Sequence, residues 1–239
     1  MKTILVLNSK GGCGKTTIAT NLAGFFASHN HCTSLMDFDP QGSSMQWLKL
    51  RPSTLPKITG IDAGKPKTGV TRSFQLRVAQ DVERLIIDAP AGSSGPLLQD
   101  LIQRTNMIVV PVGPSAIDVH ATTHFIHSLL CENRIRTRGI HVGVVANRVR
   151  HGAVYESLQR FLNVLKIPFV TTLNDSDTYI QSAESGIGIH EMADKHLLAE
   201  ELARWQPLTC WLDDPVRFVA ENDKQKISHA NVVSFPQCG

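Results

Sequence analysis

The chain has 239 residues, a formal net charge of +3 and an apolar content of 42%. A chain of this size and composition can bury enough surface to fold without disulfides, so a disordered or disulfide-stapled protein is excluded. The sequence also lacks a long apolar run, a signal peptide and any C-x-x-C pair among its five scattered cysteines, which predicts a cytoplasmic protein without a membrane span or a zinc or iron–sulfur site.

The first predicted elements are a strand, a glycine-rich loop and a helix. The apolar run Ile4–Leu7 is typical of a buried strand, and apolar residues three and four apart in Ile18–Ala27 indicate a helix. Glycines in the intervening loop Lys10–Thr17 let successive N–H groups point at one anion, and the helix N-terminus adds positive charge. We therefore predict a phosphate-binding loop in which Lys15 reaches the β- and γ-phosphates and the Thr16 hydroxyl binds Mg²⁺.

This loop departs from the common phosphate-loop pattern. The pattern places a glycine five residues before Gly14, where this chain has Ser9. A second lysine, Lys10, instead precedes the paired glycines. We interpret Cys13, inside the loop, as a spacer, with redox sensing as the alternative.

The second predicted strand, His31–Phe38, leads into two acidic residues. Asp37 and Asp39 lie at the carboxyl end of this strand, which is where ligands bind in open α/β sheets. A carboxylate there can orient a water against the γ-phosphate or hold Mg²⁺ through water. Because Asp-Pro and Gln-Gly pairs are also common in turns, a purely structural role for the two aspartates is the alternative.

Alternating apolar strands and helices continue along the rest of the chain and predict an α/β fold: a three-layer, mostly parallel twisted sheet of seven or eight strands with helices on both faces. We expect one domain over residues 1–239, with a peripheral tail from Pro207 onward that contains a short helix over Pro215–Glu221. Ser43 or Ser44 is expected to cap the helix Ser43–Leu50. The other predicted strands are Arg84–Asp88, Met107–Val112, His141–Asn147 and Ile167–Thr172, and the other predicted helices are Ser94–Thr105, Gly152–Leu165 and Ala193–Trp205. Residues 51–70 lack a clear period, so they hold either an edge strand near Lys57–Ile61 or a mobile segment.

The helix after Met107–Val112 carries two ambiguous features. Asp118 either caps this helix or lies near the nucleotide, and we favour the cap. His120, His124 and His127 lie on one stripe of the helix, a spacing that a metal site can use. No carboxylate or cysteine is clearly placed to complete such a site, so we interpret the stripe as solvated or dimer-facing.

Three motifs together resemble the ParA/MinD family of ATPases, which have a deviant Walker A loop, and here the small ParA type. They are the variant loop, the Asp-x-Asp-Pro-Gln sequence, and the strand that ends at Asp88 and is followed by Ala-Pro-Ala-Gly. The resemblance covers the whole chain. It implies that Asp39 positions the attacking water, that Asp37 supports the metal and loop geometry, and that Asp88 binds Mg²⁺ through water. It also implies that Lys10 crosses an ATP-dependent homodimer and contacts the nucleotide of the other subunit, as an arginine finger does.

The same resemblance implies three sets of site residues. The catalytic set is Lys10, Lys15 and Asp39, and the metal set is Thr16, Asp37, Asp39 and Asp88. The ATP-binding set is Gly11, Gly12, Cys13, Gly14, Lys15, Thr16, Thr17 and Asn147. Asn147 would recognise adenine through its amide, which both donates and accepts; a plain turn asparagine is the alternative.

The resemblance implies a nucleoid-associated protein that hydrolyses Mg-ATP slowly and is stimulated by a partner protein. Such a protein binds DNA non-specifically, and it either partitions a plasmid or chromosome or positions a protein cargo. DNA contacts would be made to phosphates. The candidate residues are Arg148, Arg150, Lys195 and Arg204, and the alternative for each is an ordinary solvated side chain without a DNA contact. The main alternative is a MinD-like membrane- or partner-binding regulator. Because no basic amphipathic stripe is found near the C-terminus, no membrane partner is expected.

Other enzymes with this type of fold are less consistent with the sequence. A nitrogenase-reductase-like protein needs cysteines placed for a bridging cluster, and this chain has no cysteines so placed. A bacterial tyrosine kinase carries a tyrosine-rich tail, whereas this chain has only two tyrosines. A nucleotide-dependent binding module with little turnover stays open.

Overall fold

Seven parallel strands form one sheet in the computed structural model, which describes residues 1–66, 68–132, 135–150 and 155–221. The strands are β1 (Lys2–Val6), β2 (Thr33–Asp37), β3 (Ile58–Asp62), β4 (Arg84–Asp88), β5 (Met107–Val112), β6 (His141–Val149) and β7 (Phe169–Asn174). Their order across the sheet is β3-β2-β4-β1-β5-β6-β7. The predicted α/β fold is therefore confirmed, and the sheet is parallel throughout.

Helices cover both faces of this sheet. They are α1 (Lys15–Ser28), α2 (Ser43–Leu50), α3 (Arg72–Gln75), α4 (Gly95–Gln103), α5 (Ala116–Glu132), α6 (Glu156–Leu165), α7 (Asp177–Glu184) and α8 (Ala199–Asp213), followed by a short helix over residues 215–221. One hydrophobic core lies between the sheet and helices α4, α5 and α6, and a second lies between the sheet and helices α1, α2 and α8.

Strand β1 shows how one sequence run serves both cores. Its side chains alternate in direction with a period of two residues. Ile4 and Val6 pack into the core under α1, whereas Leu5 packs into the core under α5. A strand buried on both faces needs a continuous apolar run rather than an alternating one, which is why Ile4–Leu7 was recognisable from the sequence.

The C-terminal prediction was wrong in part. Helix α8 begins at Ala199 rather than Ala193, and it continues through Pro207 to Asp213. Trp205 and Trp211 on this helix are fully buried in the core beneath it. Pro207 therefore does not begin a peripheral tail, because apolar residues at helical spacing on both of its sides bind the helix to the sheet.

The short C-terminal helix was predicted correctly at residues 215–221. The expected fraying of the last residues falls on 222–239, which lie outside the described residues, as does the start of the predicted helix Gly152–Leu165. None of the helices in the described ranges is both long and apolar enough to cross a membrane.

The sheet register brings the candidate residues to one edge. Val6, the last residue of β1, is opposite Asp88 at the end of β4, and Asp37 at the end of β2 is opposite Asp88 on the other side. The loop after β1 therefore starts beside both aspartates, at the carboxyl edge of the sheet, where α/β proteins bind ligands.

Candidate nucleotide-binding site

The glycine loop has the backbone that the sequence predicted. Gly12 and Gly14 adopt positive φ angles of 76° and 90°, which non-glycine residues adopt at a steric cost. A β-carbon at Gly14 would also overlap the Asn147 side chain. Helix α1 begins directly after Gly14, and no side chain in the described part of the chain caps its N-terminus. Its first N–H groups are therefore available to an anion, together with the positive end of the helix dipole.

Lys15 lies folded over the loop. Its side-chain nitrogen donates a hydrogen bond of 2.9 Å to the Lys10 carbonyl oxygen, and the residue is only 7% exposed. A lysine with little water around it interacts strongly with any anion placed in the loop. The neighbouring Cys13 is buried, and this burial raises the pKa of its thiol. A neutral, buried thiol favours the spacer interpretation over redox sensing.

Asp88 is the electrostatic centre of the site. One carboxylate oxygen, Oδ2, accepts hydrogen bonds from the Thr16 hydroxyl at 2.8 Å and the Ser44 hydroxyl at 2.7 Å. The other oxygen, Oδ1, is buried and has no hydrogen-bond partner among the residues that the structure describes. Burial raises the pKa of Asp88 to about 6. A buried carboxylate with an unpaired oxygen beside a hydroxyl is a donor set that Mg²⁺ prefers, so these residues fit the metal that the loop implies.

Ser44 was assigned the wrong role from the sequence. Neither Ser43 nor Ser44 caps α2; the cap position is Gly42, with a positive φ of 68°. Ser44 is fully buried and donates to Asp88 instead. Its position in the first turn of α2 made it look like a cap, and only the folded structure reveals its contact with Asp88, at the end of β4.

Asp37 shapes the loop that follows β2. Its Oδ1 accepts from the backbone N–H of Asp39 at 2.9 Å, and its Oδ2 accepts from the backbone N–H of Met45 at 3.2 Å. The side chain is fully buried, and burial raises its pKa. Because backbone donors occupy both oxygens, this geometry supports the predicted role in loop geometry and gives no support to direct metal binding.

A cavity of about 580 Å³ extends from the glycine loop toward β7 and α7. Asp39 and Asn147, predicted from the sequence, line it on opposite sides of the loop. The residues that line the β7 end of the cavity were not predicted as site residues from the sequence, although they lie at or just after the carboxyl end of a parallel strand, which is the ligand-binding edge. They are Asn174, Asp175, Ser176, Tyr179 and Ile180.

Asn147 is not a turn residue. It lies within β6, is 4% exposed, and its side-chain nitrogen donates a hydrogen bond of 3.0 Å to the Cys13 carbonyl oxygen. The amide therefore holds the glycine loop against β6. Its recognition of adenine stays a prediction.

Lys10 forms an ion pair within its own chain. Its side-chain nitrogen lies 3.7 Å from Asp118 Oδ1, and both side chains are partly exposed. Ser115, rather than Asp118, caps α5, because its hydroxyl oxygen accepts from the Asp118 backbone N–H. Asp118 is thus more than a helix-start residue: its carboxylate links α5 to the glycine loop.

The four candidate DNA-contacting residues are in different environments. Arg148 and Arg150 share the Asp175 carboxylate at 3.4 Å and 2.6 Å, and they hold the pKa of that carboxyl below its usual value. Arg204 pairs with Glu200 along α8, and Lys195 is exposed in the segment before α8. Of these four candidates, the structure therefore joins only Arg148, in β6, and Arg150, just after β6, through a common partner.

A parallel sheet with a glycine loop at its carboxyl edge, a loop lysine and a buried aspartate opposite the loop defines a nucleotide-binding protein of the P-loop class. Residues 4–189 match the CobQ/CobB/MinD/ParA nucleotide binding domain family. The chain belongs to this family, which confirms the resemblance to ParA and MinD.

Several characterised proteins are similar to the chain. It is 27% identical over 215 residues to Maintenance of carboxysome distribution protein A of Gloeobacter kilaueensis, covering 85% of this chain and 94% of that protein. Similar solved structures include an ATP complex of a Cyanothece McdA variant (17% identity, 87% and 96% coverage, TM-score 0.61) and a putative plasmid partition protein of Borrelia burgdorferi bound to AMPPNP (15% identity, 87% and 98% coverage, TM-score 0.62). At these identities the structures support the fold.

Proposed function

We propose that the chain is a ParA-type ATPase that dimerises on binding Mg-ATP and hydrolyses it slowly. One observation carries this proposal: the Thr16 hydroxyl, at the start of α1, donates to the buried Asp88 carboxylate at the end of β4. This contact joins the phosphate loop to a buried carboxylate whose second oxygen, Oδ1, has no hydrogen-bond partner among the described residues. Nucleotide binding with a divalent cation is the function that such a pairing supports best.

Each residue of the site has a distinct task in phosphoryl transfer. The loop N–H groups and Lys15 bind the phosphates, and Lys15 exchanges the Lys10 carbonyl for a phosphate oxygen. Thr16 and Asp88 would hold Mg²⁺, which neutralises charge on the phosphates when it is bound. Asp39 lines the cavity beside the loop and positions the attacking water. Catalysis is thus mainly positioning and charge neutralisation.

Lys10 is the residue through which the proposal links hydrolysis to dimerisation. Its side chain is 38% exposed, and its pair with Asp118 spans 3.7 Å. Exposed pairs of this kind contribute little free energy, on the order of 1 kcal/mol or less. Lys10 can therefore leave Asp118 at low cost and contact the nucleotide of a second subunit across a face-to-face dimer.

The cellular role that we propose is the positioning of a cargo. Two relatives that the chain resembles over most of their length are maintenance of carboxysome distribution proteins, and a Myxococcus xanthus chromosome partitioning protein is similar over about half of its length. We propose that the ATP-bound dimer binds nucleoid DNA non-specifically, that a cognate partner stimulates hydrolysis, and that the cargo is a plasmid, a chromosome or a large protein assembly.

The test is a measurement of molar mass by light scattering together with phosphate release. The parent protein should be a dimer with Mg-ATP and a monomer with Mg-ADP. Asp39→Ala should form the ATP dimer and release no phosphate, because only the positioning of water is lost. Lys10→Ala should bind ATP without hydrolysing it.

Lys49→Ala, which removes an exposed lysine of α2, is the matched control and should behave as the parent does. Parent-like phosphate release by Asp39→Ala and Lys10→Ala would remove both residues from the mechanism. A parent protein that stays monomeric with Mg-ATP would rule out the dimer switch.

A further inference from the structure

One face of α5 carries four potential metal ligands. His120, His124, His127 and Cys131 are all exposed and lie at i, i+4, i+7 and i+11 along the helix. We call this set the histidine face. The opposite side of α5, with Val119, Ile126 and Leu129, is buried in the core, so its packing fixes the histidine face toward solvent.

The four side chains are arranged as two pairs, each separated by one helical turn. The imidazole rings of His120 and His124 have centroids 4.6 Å apart. His127 Nε2 lies 3.8 Å from Cys131 Sγ. The cysteine that the sequence analysis did not connect with the histidines is therefore in contact with one of them. Residues four apart on a helix face each other, with Cβ atoms about 5–6 Å apart.

The separation of His127 and Cys131 matches that of two ligands on one metal ion. Zinc binds imidazole nitrogen at about 2.0–2.1 Å and thiolate sulfur at about 2.3 Å. At a tetrahedral angle, these bond lengths place a nitrogen and a sulfur roughly 3.6 Å apart. The 3.8 Å between His127 Nε2 and Cys131 Sγ is close to that value. The two histidine rings reach the same arrangement by side-chain rotation, since both are solvent-exposed.

The two pairs act as separate half-sites. Their midpoints are seven residues apart, which is about 10 Å along a helix, too far for one ion. Within the described residues, no group of three side chains could hold a metal ion. Each pair therefore supplies two ligands, and water fills the other positions of an exchangeable ion.

We propose that the histidine face of α5 binds divalent transition-metal ions such as Zn²⁺, one at His120/His124 and one at His127/Cys131. Imidazole and thiolate select zinc, copper or nickel over Mg²⁺, which prefers oxygen ligands. The metal bound here therefore differs in class from the Mg²⁺ proposed for the nucleotide site.

The test is a Zn²⁺ titration of the tag-free, full-length protein in competition with a chromophoric chelator, in excess Mg²⁺. In competition with the chelator, each molecule of the parent should bind two more Zn²⁺ ions than each molecule of the double variant His124→Ala/Cys131→Ser. Each single variant should weaken one equivalent by at least about tenfold, since the loss of a direct ligand costs no less than the loss of a supporting group around a metal.

Two further measurements separate the two pairs and control for general effects. With Co²⁺, a thiolate charge-transfer band should appear in the parent and in His124→Ala and should be missing in Cys131→Ser. His196→Ala, which removes an exposed histidine outside α5, should bind zinc as the parent does. Parent-like zinc binding by the double variant, or an equal loss in His196→Ala, would overturn the proposal. Because the substituted side chains are exposed, unchanged thermal unfolding should show that each variant is folded.

Discussion

The two sides of the nucleotide cavity are held together in different ways. On the phosphate side, formed by the ends of β1, β2 and β4, Asp37 and Asp88 are buried and bonded to groups of other elements. On the β7 side, Arg148 and Arg150 are 56% and 80% exposed and share Asp175. Buried polar contacts are strong and costly to break, whereas exposed pairs exchange partners easily. The phosphate side is thus built for fixed positioning, and the β7 side for contacts that change.

A buried ion pair between Arg51 and Glu191 connects the helices that carry residues of the phosphate side. Arg51, which follows α2, forms a two-point contact with Glu191, and the two side chains are 6% and 1% exposed. Glu191 also accepts from the Gly188 backbone N–H and lies beside Gly24 of α1. The pair therefore ties α2, which carries Ser44, to the helix that begins in the glycine loop.

The largest expected effect on folding comes from breaking this pair. Arg51→Ala should lower the free energy of unfolding by about 3–5 kcal/mol, because it leaves the Glu191 carboxylate buried without its partner. Chemical denaturation measures the change. The control is Arg104→Ala, which breaks an exposed pair with Asp100 and should cost about 1 kcal/mol or less. Equal losses in the two variants would contradict the contrast between buried and exposed pairs.

Asp88 should give the phosphate side a pH dependence when Mg²⁺ and nucleotide are absent. Its folded-state pKa of about 6 lies above the unfolded value of 3.8, so the folded state holds more protons between these pH values. Stability should therefore fall as the pH rises from about 4 to 6, by about 3 kcal/mol in total. Asp88→Asn keeps an oxygen for Thr16 and Ser44 and removes this charge.

The measurement is the difference in unfolding free energy between the parent and Asp88→Asn across this pH range. Partial burial lowers the pKa of His190 to about 4, which gives the opposite slope, and this contribution cancels in the difference. The parent should lose stability relative to the variant up to about pH 6, with no further change above it. A difference independent of pH would show that Asp88 is not the buried acid described here.

The smallest expected effects fall on the β7 side. Arg150→Ala should change the unfolding free energy by about 1 kcal/mol or less. If the β7 side contacts DNA phosphates, the variant should bind random duplex DNA more weakly with Mg-ATP. The slope of log affinity against log salt concentration should become less steep by about 0.9. Fluorescence anisotropy measures both quantities.

Arg217→Ala is the control for this experiment. Arg217 is similarly exposed and paired, in the C-terminal helix, and its loss should leave DNA binding unchanged. If DNA binding is weakened equally in the two variants, the β7 side is not the DNA-binding face. No DNA binding by the parent, with ATP hydrolysis intact, would favour a MinD-like regulator.

The sequence predicted the phosphate side better than the β7 side for a physical reason. Gly14, Lys15 and Asp88 belong to local patterns, in which a few adjacent residues determine both the backbone and the chemistry. Asp175 and its two arginines lack such a pattern, because their contact depends on the pairing of β6 with β7. Arg51 and Glu191 are 140 positions apart in the chain, so local spacing gave no sign of their contact.

The same limit explains the other errors. Ser44 has the position of a helix cap and the contact of a site residue, and only tertiary packing separates the two roles. Pro207 looked like the end of the folded chain because proline disfavours a helix interior. The burial of Trp205 and Trp211 on either side of it outweighs that preference.

The most direct test of the central claim is the affinity for Mg-ATP, measured by calorimetry for the parent, Lys15→Ala and Lys49→Ala. We expect tight binding by the parent and by Lys49→Ala, and no measurable binding by Lys15→Ala, because the phosphates lose their main positive partner. Tight, magnesium-dependent ATP binding by a folded Lys15→Ala variant would contradict the assignment of the glycine loop as the nucleotide site.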